Sequence, residues 1–206
     1  KQNMNYLKDD NIIGIYQYGS FVYGTNHEKS DKDLIVILND INQSLEKIEE
    51  LRKNYDVNIY SKNDFEKMIK EHEVSALECL FLEDKFILKY HQWNFELDLP
   101  TLRNSVSQKS SNSWVKAKKK FIVEKDYAPY IGQKSAWHAI RMLDFGTQIA
   151  KYGMIKNYAT QNEILPEILK LNTWEEIDNK FRVTYNETAS IFRQFAPKEI
   201  NIKPKI

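Results

Sequence analysis

The chain has 206 residues, of which 42% are hydrophobic and 29% are charged, and this balance excludes wholesale disorder. Its formal net charge of +1 excludes the overall cationic field that marks many nucleic-acid-binding proteins. The single cysteine, Cys79, excludes an internal disulfide framework.

The first half of the chain reads as strands alternating with helices. A β-branched and aromatic run at 12–18 predicts a buried strand that stops at Gly19-Ser20, and the apolar run at 34–38 predicts a second strand. Leu45, Ile48 and Leu51 lie at helical spacing and predict a helix over 44–55. The further predicted elements are a strand over 56–60, a helix that begins near 63, a helix over 75–82 and a strand over 86–90.

The second half is predicted to be helical. Pro100 suits the first turn of a helix, and the Ser-, Asn- and Lys-rich stretch up to Ser113 is expected to mark a boundary. These patterns indicate an α/β fold of the α+β type, in which a small mixed-sheet module over 1–95 precedes an all-helical module over 96–206. The tail at 201–206 is expected to be loosely held. Helices are predicted over 114–124, 134–151, 165–171, 174–181 and 188–195.

The most informative stretch is Gly19-Ser20 followed by Asp31-Lys32-Asp33. A glycine-serine turn after a buried strand presents amides and a hydroxyl to phosphate oxygens. At a strand period of two, Asp31 and Asp33 project from one face, and two such carboxylates repel each other unless a divalent cation neutralises them. The pattern therefore predicts a magnesium site, with manganese as an alternative ion.

In these residues the sequence resembles the DNA polymerase beta-like nucleotidyltransferase superfamily, and most of all a bacterial and phage group of predicted nucleotidyltransferases. The resemblance rests on Gly19-Ser20, on Tyr23-Gly24-Thr25 and on Ser30-Asp31-Lys32-Asp33. It departs at Phe21, where many members carry arginine, so no phosphate contact is expected from that position.

The resemblance implies roles for individual residues. Asp31 and Asp33 would bind the metal ions. Asp56 is the best-placed third carboxylate, because Asp56, Asn58 and Tyr60 share one strand face, and it would bind the catalytic metal and accept a proton. The motif residues expected to contact the nucleotide are Gly19, Ser20, Tyr23, Gly24 and Ser30.

The helix over 134–151 carries a polar stripe of Lys134, His138, Arg141 and Phe145, opposite an apolar stripe. Two interpretations stay open: a solvated face, or a row of three cations and an aromatic ring that meets a triphosphate and its base. A lysine run over 116–120 beside Trp114 and Phe121 is likewise either a solvent-exposed helix face or a polynucleotide contact. Glu78 is a secondary candidate, either buried or on the surface.

The expected activity is the transfer of a nucleoside monophosphate from a nucleoside triphosphate to an acceptor hydroxyl, with release of pyrophosphate. The acceptor is left open between an RNA or DNA 3′ end, a protein hydroxyl and a small molecule. The alternative is a catalytically silent nucleotide- or nucleic-acid-binding module on the same fold. No apolar run reaches the roughly 18 residues that span a bilayer, so a cytoplasmic location without a membrane partner is expected.

Overall fold

The computed structural model describes residues 5–199, and the chain divides between residues 96 and 97 into two compact units, unit 1 and unit 2. The predicted loose tail at 201–206 lies outside the described residues. Among the described helices, none combines the length and the apolar character that crossing a membrane requires. The predicted fold class is confirmed, because a mixed sheet with helices comes first and a long helical region follows.

Unit 1 is built on a four-stranded sheet of order β3-β2-β1-β4. Its strands are β1 (Ile12–Tyr18), β2 (Asp33–Leu38), β3 (Asp56–Ser61) and β4 (Ile87–Lys89). The connecting helices are α1 (Ser20–Tyr23), α2 (Leu45–Arg52), α3 (Lys62–Lys70) and α4 (Val74–Leu80). Strand β1 is antiparallel to β2 and to β4, whereas β2 and β3 are parallel because α2 carries the chain back between them.

Alternation along the strands separates two faces of this sheet. On one face Leu34, Val36 and Leu38 of β2 form a buried core with Ile48 and Leu51 of α2. The other face is aromatic: the Phe65 ring of α3 stacks on Tyr16 of β1, with 6.3 Å between the ring centroids. Asp33 and Asp56 belong to this second face, since they alternate with Leu34 and Val57 of the first.

Unit 2 consists of helices that pack side by side, with α6 in contact with both α5 and α8. The helices are α5 (Leu99–Ile122), α6 (Pro129–Tyr152), α7 (Leu165–Ile168) and α8 (Trp174–Phe195). Helix α5 begins as predicted, with Pro100 in its first turn and the Asp98 carboxylate accepting the Thr101 amide at 2.9 Å.

The polar stretch that ends at Ser113 belongs to a helix. Helix α5 passes through it without a break. Serine and asparagine are only weakly unfavourable in a helix, and packing overrides that preference. The buried Ser110 hydroxyl, for example, donates to the Ala139 carbonyl of α6 at 2.7 Å.

The two helices predicted over 174–181 and 188–195 are one helix, α8. The polar residues at 182–187 do not interrupt it, because Tyr185 within them stacks on buried Trp114 of α5, with 4.4 Å between the ring centroids. Thr173 and Glu176 begin the helix with a capping box. Contacts between helices therefore decided its length.

Gly146 is the point where α6 approaches its neighbours most closely. A Cβ atom there would lie 2.7 Å from the Phe192 ring of α8 and 2.8 Å from Val106 of α5. We therefore expect Gly146→Val to lower the free energy of unfolding by about 1–3 kcal/mol through overpacking. Urea unfolding followed by circular dichroism measures this. As a control, Ser111→Ala at an exposed position of α5 should change it by less than about 0.5 kcal/mol, and an equal effect of the two changes would contradict the close approach.

Candidate active site

The glycine-serine turn follows directly from the end of β1. Gly19 has φ 77° and ψ −149°, a conformation that side chains disfavour, and it leads into the single helical turn of α1. The Gly19 carbonyl accepts the amides of Val22 and Tyr23 at 3.0 and 3.1 Å, and Gly24 closes the turn with φ 72°. The donors that the turn itself can offer a ligand are thus the Ser20 and Phe21 amides and the Ser20 hydroxyl.

The Asp33 carboxylate lies directly against Gly19. A Cβ atom on Gly19 would stand 2.2 Å from Oδ2 of Asp33, well inside van der Waals contact. Two reasons therefore require glycine at this position: its backbone conformation, and the space that the Asp33 carboxylate occupies. This contact brings the first carboxylate to the predicted phosphate-binding turn.

Asp56 lies beside Asp33 in the sheet. The two residues are partners in the parallel register of β2 and β3, and the Asp56 amide donates to the Lys32 carbonyl at 2.9 Å. Paired residues of adjacent strands point to the same face and lie about 4.8 Å apart along the hydrogen-bonding direction. Asp56 is exposed and Asp33 half-buried, so one edge of the sheet presents two neighbouring carboxylates.

Asp31 precedes the sheet, which corrects the argument from strand period. Strand β2 begins at Asp33, so strand alternation does not set the direction of the exposed Asp31 side chain. Asp31 and Ser30 instead line an open depression of about 600 Å³ beside Asp56. The Ser30 hydroxyl accepts the His27 amide at 2.9 Å, which holds the loop in front of β2.

Tyr23 is placed differently from the other residues of the motif. Its side chain is 2% exposed, and its hydroxyl donates to Oε1 of Glu78 on α4 at 2.6 Å. Glu78 is itself 4% exposed, so of the two alternatives for this carboxylate the buried one is correct. Tyr23 thus points into the interior of unit 1, and we assign it to the support of the turn.

A comparison with protein families finds a similarity over the part of the chain that carries this arrangement. The family described as "Polymerase beta, Nucleotidyltransferase" matches residues 1–92, a range that includes all four strands and the three aspartates. Over residues 1–92 the chain is therefore similar to polymerase beta-like nucleotidyltransferases. No match was found among curated proteins. The narrower resemblance to a bacterial and phage group stays a prediction.

The chemistry of the oxygen donors at this end of the sheet fits a magnesium ion. Magnesium typically takes one or two carboxylates and completes its shell with substrate phosphates and waters. Asp33 and Asp56 supply neighbouring carboxylates, and the missing Cβ of Gly19 leaves room beside Asp33. Across residues 5–199, however, no three His, Cys, Asp or Glu side chains group together as a metal site.

The predicted polar stripe of α6 is not a solvated face. Arg141 is 1% exposed and Phe145 is fully buried, so α6 is covered on both sides. The guanidinium carbon of Arg141 lies 4.4 Å from the Trp137 ring centroid and 5.1 Å from that of Phe145. Lys134 remains half-exposed, with its ammonium 5.5 Å from the Tyr130 ring centroid.

His138 does not join this stripe as a cation. Burial lowers the pKa of His138 well below its usual value, and the charge of Arg141 lowers that pKa further. Nδ1 of His138 lies 2.7 Å from Nη2 of Arg141, which can only donate, so the imidazole accepts and is neutral. The prediction of three cations is therefore reduced to Lys134 and a buried Arg141.

The lysine run of α5 also loses its aromatic partners. Trp114 and Phe121 are buried, and Lys119 forms an ion pair with Asp126 at 3.0 Å. An alternation of exposed lysines with exposed aromatic rings, which would favour a polynucleotide contact, is absent from this helix.

Sequence reasoning missed the cationic side of the depression. Lys32, Arg52 and Lys53 line it together with Asp31 and Asp56. Arg52 forms an ion pair with Glu49 at 2.6 Å, and the Lys32 ammonium stands 5.6 Å from the Phe21 ring centroid. The sequence does hold a signal for these cations, because each lies within four residues of Asp31 or Asp56.

Proposed function

We propose that the chain is a metal-dependent nucleotidyltransferase that moves a nucleoside monophosphate from a nucleoside triphosphate to an acceptor hydroxyl. The observation that carries this proposal is the contact of the Asp33 carboxylate with Gly19, next to Asp56 in register on β3. A phosphate-binding turn and two carboxylates then meet at one edge of the sheet. The family match of residues 1–92 supports the same class of chemistry.

In the proposed reaction the Gly19-Ser20 turn, together with Gly24 and Ser30 of the same loop, holds the triphosphate. Asp31 and Asp33, with Asp56, hold magnesium or manganese, which when bound neutralises the carboxylates and the phosphates. Asp56 accepts the proton of the acceptor hydroxyl, whose oxygen forms a bond to the α-phosphorus. The bond from that phosphorus to the bridging oxygen of the β-phosphate breaks, and pyrophosphate leaves with the electron pair.

The helical half, residues 96–206, is proposed to bind the nucleotide and the acceptor. Lys134 is the residue of α6 best suited to a phosphate, since it is charged and half-exposed. Arg141 and the neutral His138, on the same helix, are proposed to support the contact between Lys134 and the phosphate. The acceptor is an RNA or DNA 3′ end, a protein hydroxyl or a small molecule.

Calorimetry with each of the four common ribonucleoside triphosphates tests the proposal. Binding is expected in magnesium or manganese and lost in chelator, because the carboxylates otherwise repel the phosphates. Asp33→Ala should lose both binding and transfer, whereas Asn94→Ala, at an exposed position of unit 1, should lose neither. Equal affinity in chelator and in magnesium would remove the metal site from the proposal.

The second candidate is a catalytically silent nucleotide- or nucleic-acid-binding module on the same fold. Mass spectrometry of candidate acceptors, incubated with α-labelled triphosphates and magnesium or manganese, separates the two candidates. A transferred nucleoside monophosphate with release of pyrophosphate supports the enzyme. Metal-dependent binding without transfer to an RNA, DNA, protein or small-molecule acceptor supports the silent module.

Replacing Lys134 with alanine is expected to weaken triphosphate binding roughly tenfold, through loss of one contact to a charged group. Calorimetry measures the change. Lys118→Ala removes an exposed lysine of α5 and is the matched control. Lys134 tests this contact better than Arg141 does, because the burial of Arg141 means that its loss also disturbs packing. Equal affinities of the two lysine variants would assign Lys134 to the solvated surface.

A further inference from the structure

We propose that Tyr23 and Glu78 are positioning residues that hold the Gly19-Ser20 turn in place for the nucleotide. The inference rests on the proposed function. Neither residue is proposed to touch a reacting atom. Their hydroxyl–carboxyl bond of 2.6 Å joins α1 to α4 across 55 positions of the chain.

Helix α1 needs such an anchor because it is too short to be stable alone. It has four residues, well below the length at which an isolated helix persists. Its N-cap is Gly19, which has no side chain to bond the first amides. The conformation of the turn therefore depends on tertiary contacts.

The buried residues of α1 are its last two. Val22 and Tyr23 are buried, and the Tyr23 ring meets Tyr18 of β1 edge to face, with 6.2 Å between the ring centroids. These apolar contacts fix α1 against the sheet, but they define its rotation only weakly because hydrophobic contacts have little directional preference. The hydrogen bond to Glu78 adds direction, and its length is typical of a hydroxyl bonded to a carboxylate.

The burial of Glu78 argues for a role beyond stability. It lies in α4 among Val74, Ala76, Leu77 and Cys79, all of which are buried. Burying a carboxyl group costs free energy, and an apolar residue of similar size is often equally stable or more stable in its place. An apolar pair would, however, leave the rotation of α1 less well defined.

This rotation matters because α1 begins beside the proposed metal ligand. Ser20 is its first residue, and the preceding Gly19 touches the Asp33 carboxylate. A small turn of α1 would move the Ser20 hydroxyl relative to Asp33 while leaving Asp56 on the far strand in place. Loss of the Tyr23–Glu78 bond should therefore weaken nucleotide binding far more than it slows the reaction of bound nucleotide.

The test compares Tyr23→Phe, Glu78→Leu and Glu78→Gln, since glutamine keeps an acceptor for the tyrosine hydroxyl. Tyr16→Phe is the matched control, because it removes a tyrosine hydroxyl from β1 of the same unit. That hydroxyl accepts a hydrogen bond from Trp93 Nε1 at 2.7 Å. The first measurement is amide hydrogen exchange over residues 19–25 without ligand. The second is the affinity for magnesium complexes of the four common ribonucleoside triphosphates, and the third is KM against kcat.

Tyr23→Phe and Glu78→Leu are expected to speed exchange over residues 19–25 and to weaken nucleotide affinity about tenfold, the order of one hydrogen bond to a charged group. Their kcat should stay within about threefold of wild type, and their double variant should be no worse than either one. Glu78→Gln should restore affinity to within about twofold, and Tyr16→Phe should change none of the three measurements.

Unchanged exchange in Tyr23→Phe would overturn the proposal, and so would an equal loss of affinity in Tyr16→Phe or a failure of Glu78→Gln to rescue. If Glu78→Leu fails to fold, Tyr23→Phe decides alone. If the wild-type protein binds none of the nucleotides, the proposed function fails, while the exchange rates still decide whether the pair holds the turn.

Discussion

Replacing Asp56 with asparagine is expected to lower nucleotidyl transfer by roughly 10²- to 10⁴-fold, the contribution of a general base, while nucleotide binding is retained. Asp56 stands on β3, one strand beyond Asp33, and it is exposed to an incoming acceptor. Asparagine keeps the shape of the side chain but neither its charge nor its ability to take a proton. Single-turnover transfer and calorimetric affinity, measured in parallel, give the two quantities.

Two further variants give the upper and lower limits for comparison with Asp56→Asn. Asn58→Ala changes the next exposed residue on the same face of β3 and should leave transfer unchanged. Asp33→Ala should lose binding and transfer together, since it deletes the carboxylate that lies against the turn. Transfer at the wild-type rate in Asp56→Asn would reject Asp56 as the base. Asp31, the other carboxylate of the depression, would then be the next candidate.

Replacing Gly19 with alanine is expected to reduce transfer at least about 10²-fold, the cost of misplacing a reacting group by about 1 Å. The added methyl group would stand 2.2 Å from Oδ2 of Asp33, so the carboxylate must turn away from the site. Triphosphate affinity should fall as well, because the same carboxylate is the proposed metal ligand. Single-turnover transfer and calorimetry measure these losses, and circular dichroism reports whether the fold is intact.

Gly153→Ala is the matched control for this change. Gly153 has φ 72°, close to the 77° of Gly19, but a Cβ atom there meets nothing within 4 Å. It should therefore cost about 1 kcal/mol of stability through backbone strain and leave transfer unchanged. Equal losses of transfer in both variants would mean that backbone strain, and not the contact with Asp33, accounts for the effect at Gly19.

Much of unit 1 could be predicted from the sequence because its signals are local. The run at 12–18 is β-branched and aromatic and ends in Gly19-Ser20, and the structure confirms a strand over the same residues. A period of two also predicted that Asp56 and Val57 lie on opposite faces of β3, and the burial of Val57 confirms this. Strand alternation needs only neighbouring residues, so one sequence was enough to show it.

The same reasoning failed where a residue lay just outside a regular element. Asp31 was assigned to the face of Asp33 on strand periodicity, yet the strand begins at Asp33. Where a strand begins depends on its partners, here Asp56 in β3 and Tyr18 in β1. Those partners are distant in the sequence, and no local pattern reveals them.

In the helical half, the sequence determined the class of structure and the tertiary structure decided its details. Polar residues at 101–113 and 182–187 predict breaks in the helices, yet neighbouring helices pack against Ser110 and Tyr185 and keep α5 and α8 continuous. Helical periodicity identifies two stripes on α6, but only the tertiary structure shows that both are covered: α5 and α8 pack against α6, and the Phe145 ring contacts Tyr158. A lone helix always has an outer face, whereas a central helix of a bundle has none, and that difference lies in the partners rather than in the sequence of the helix itself.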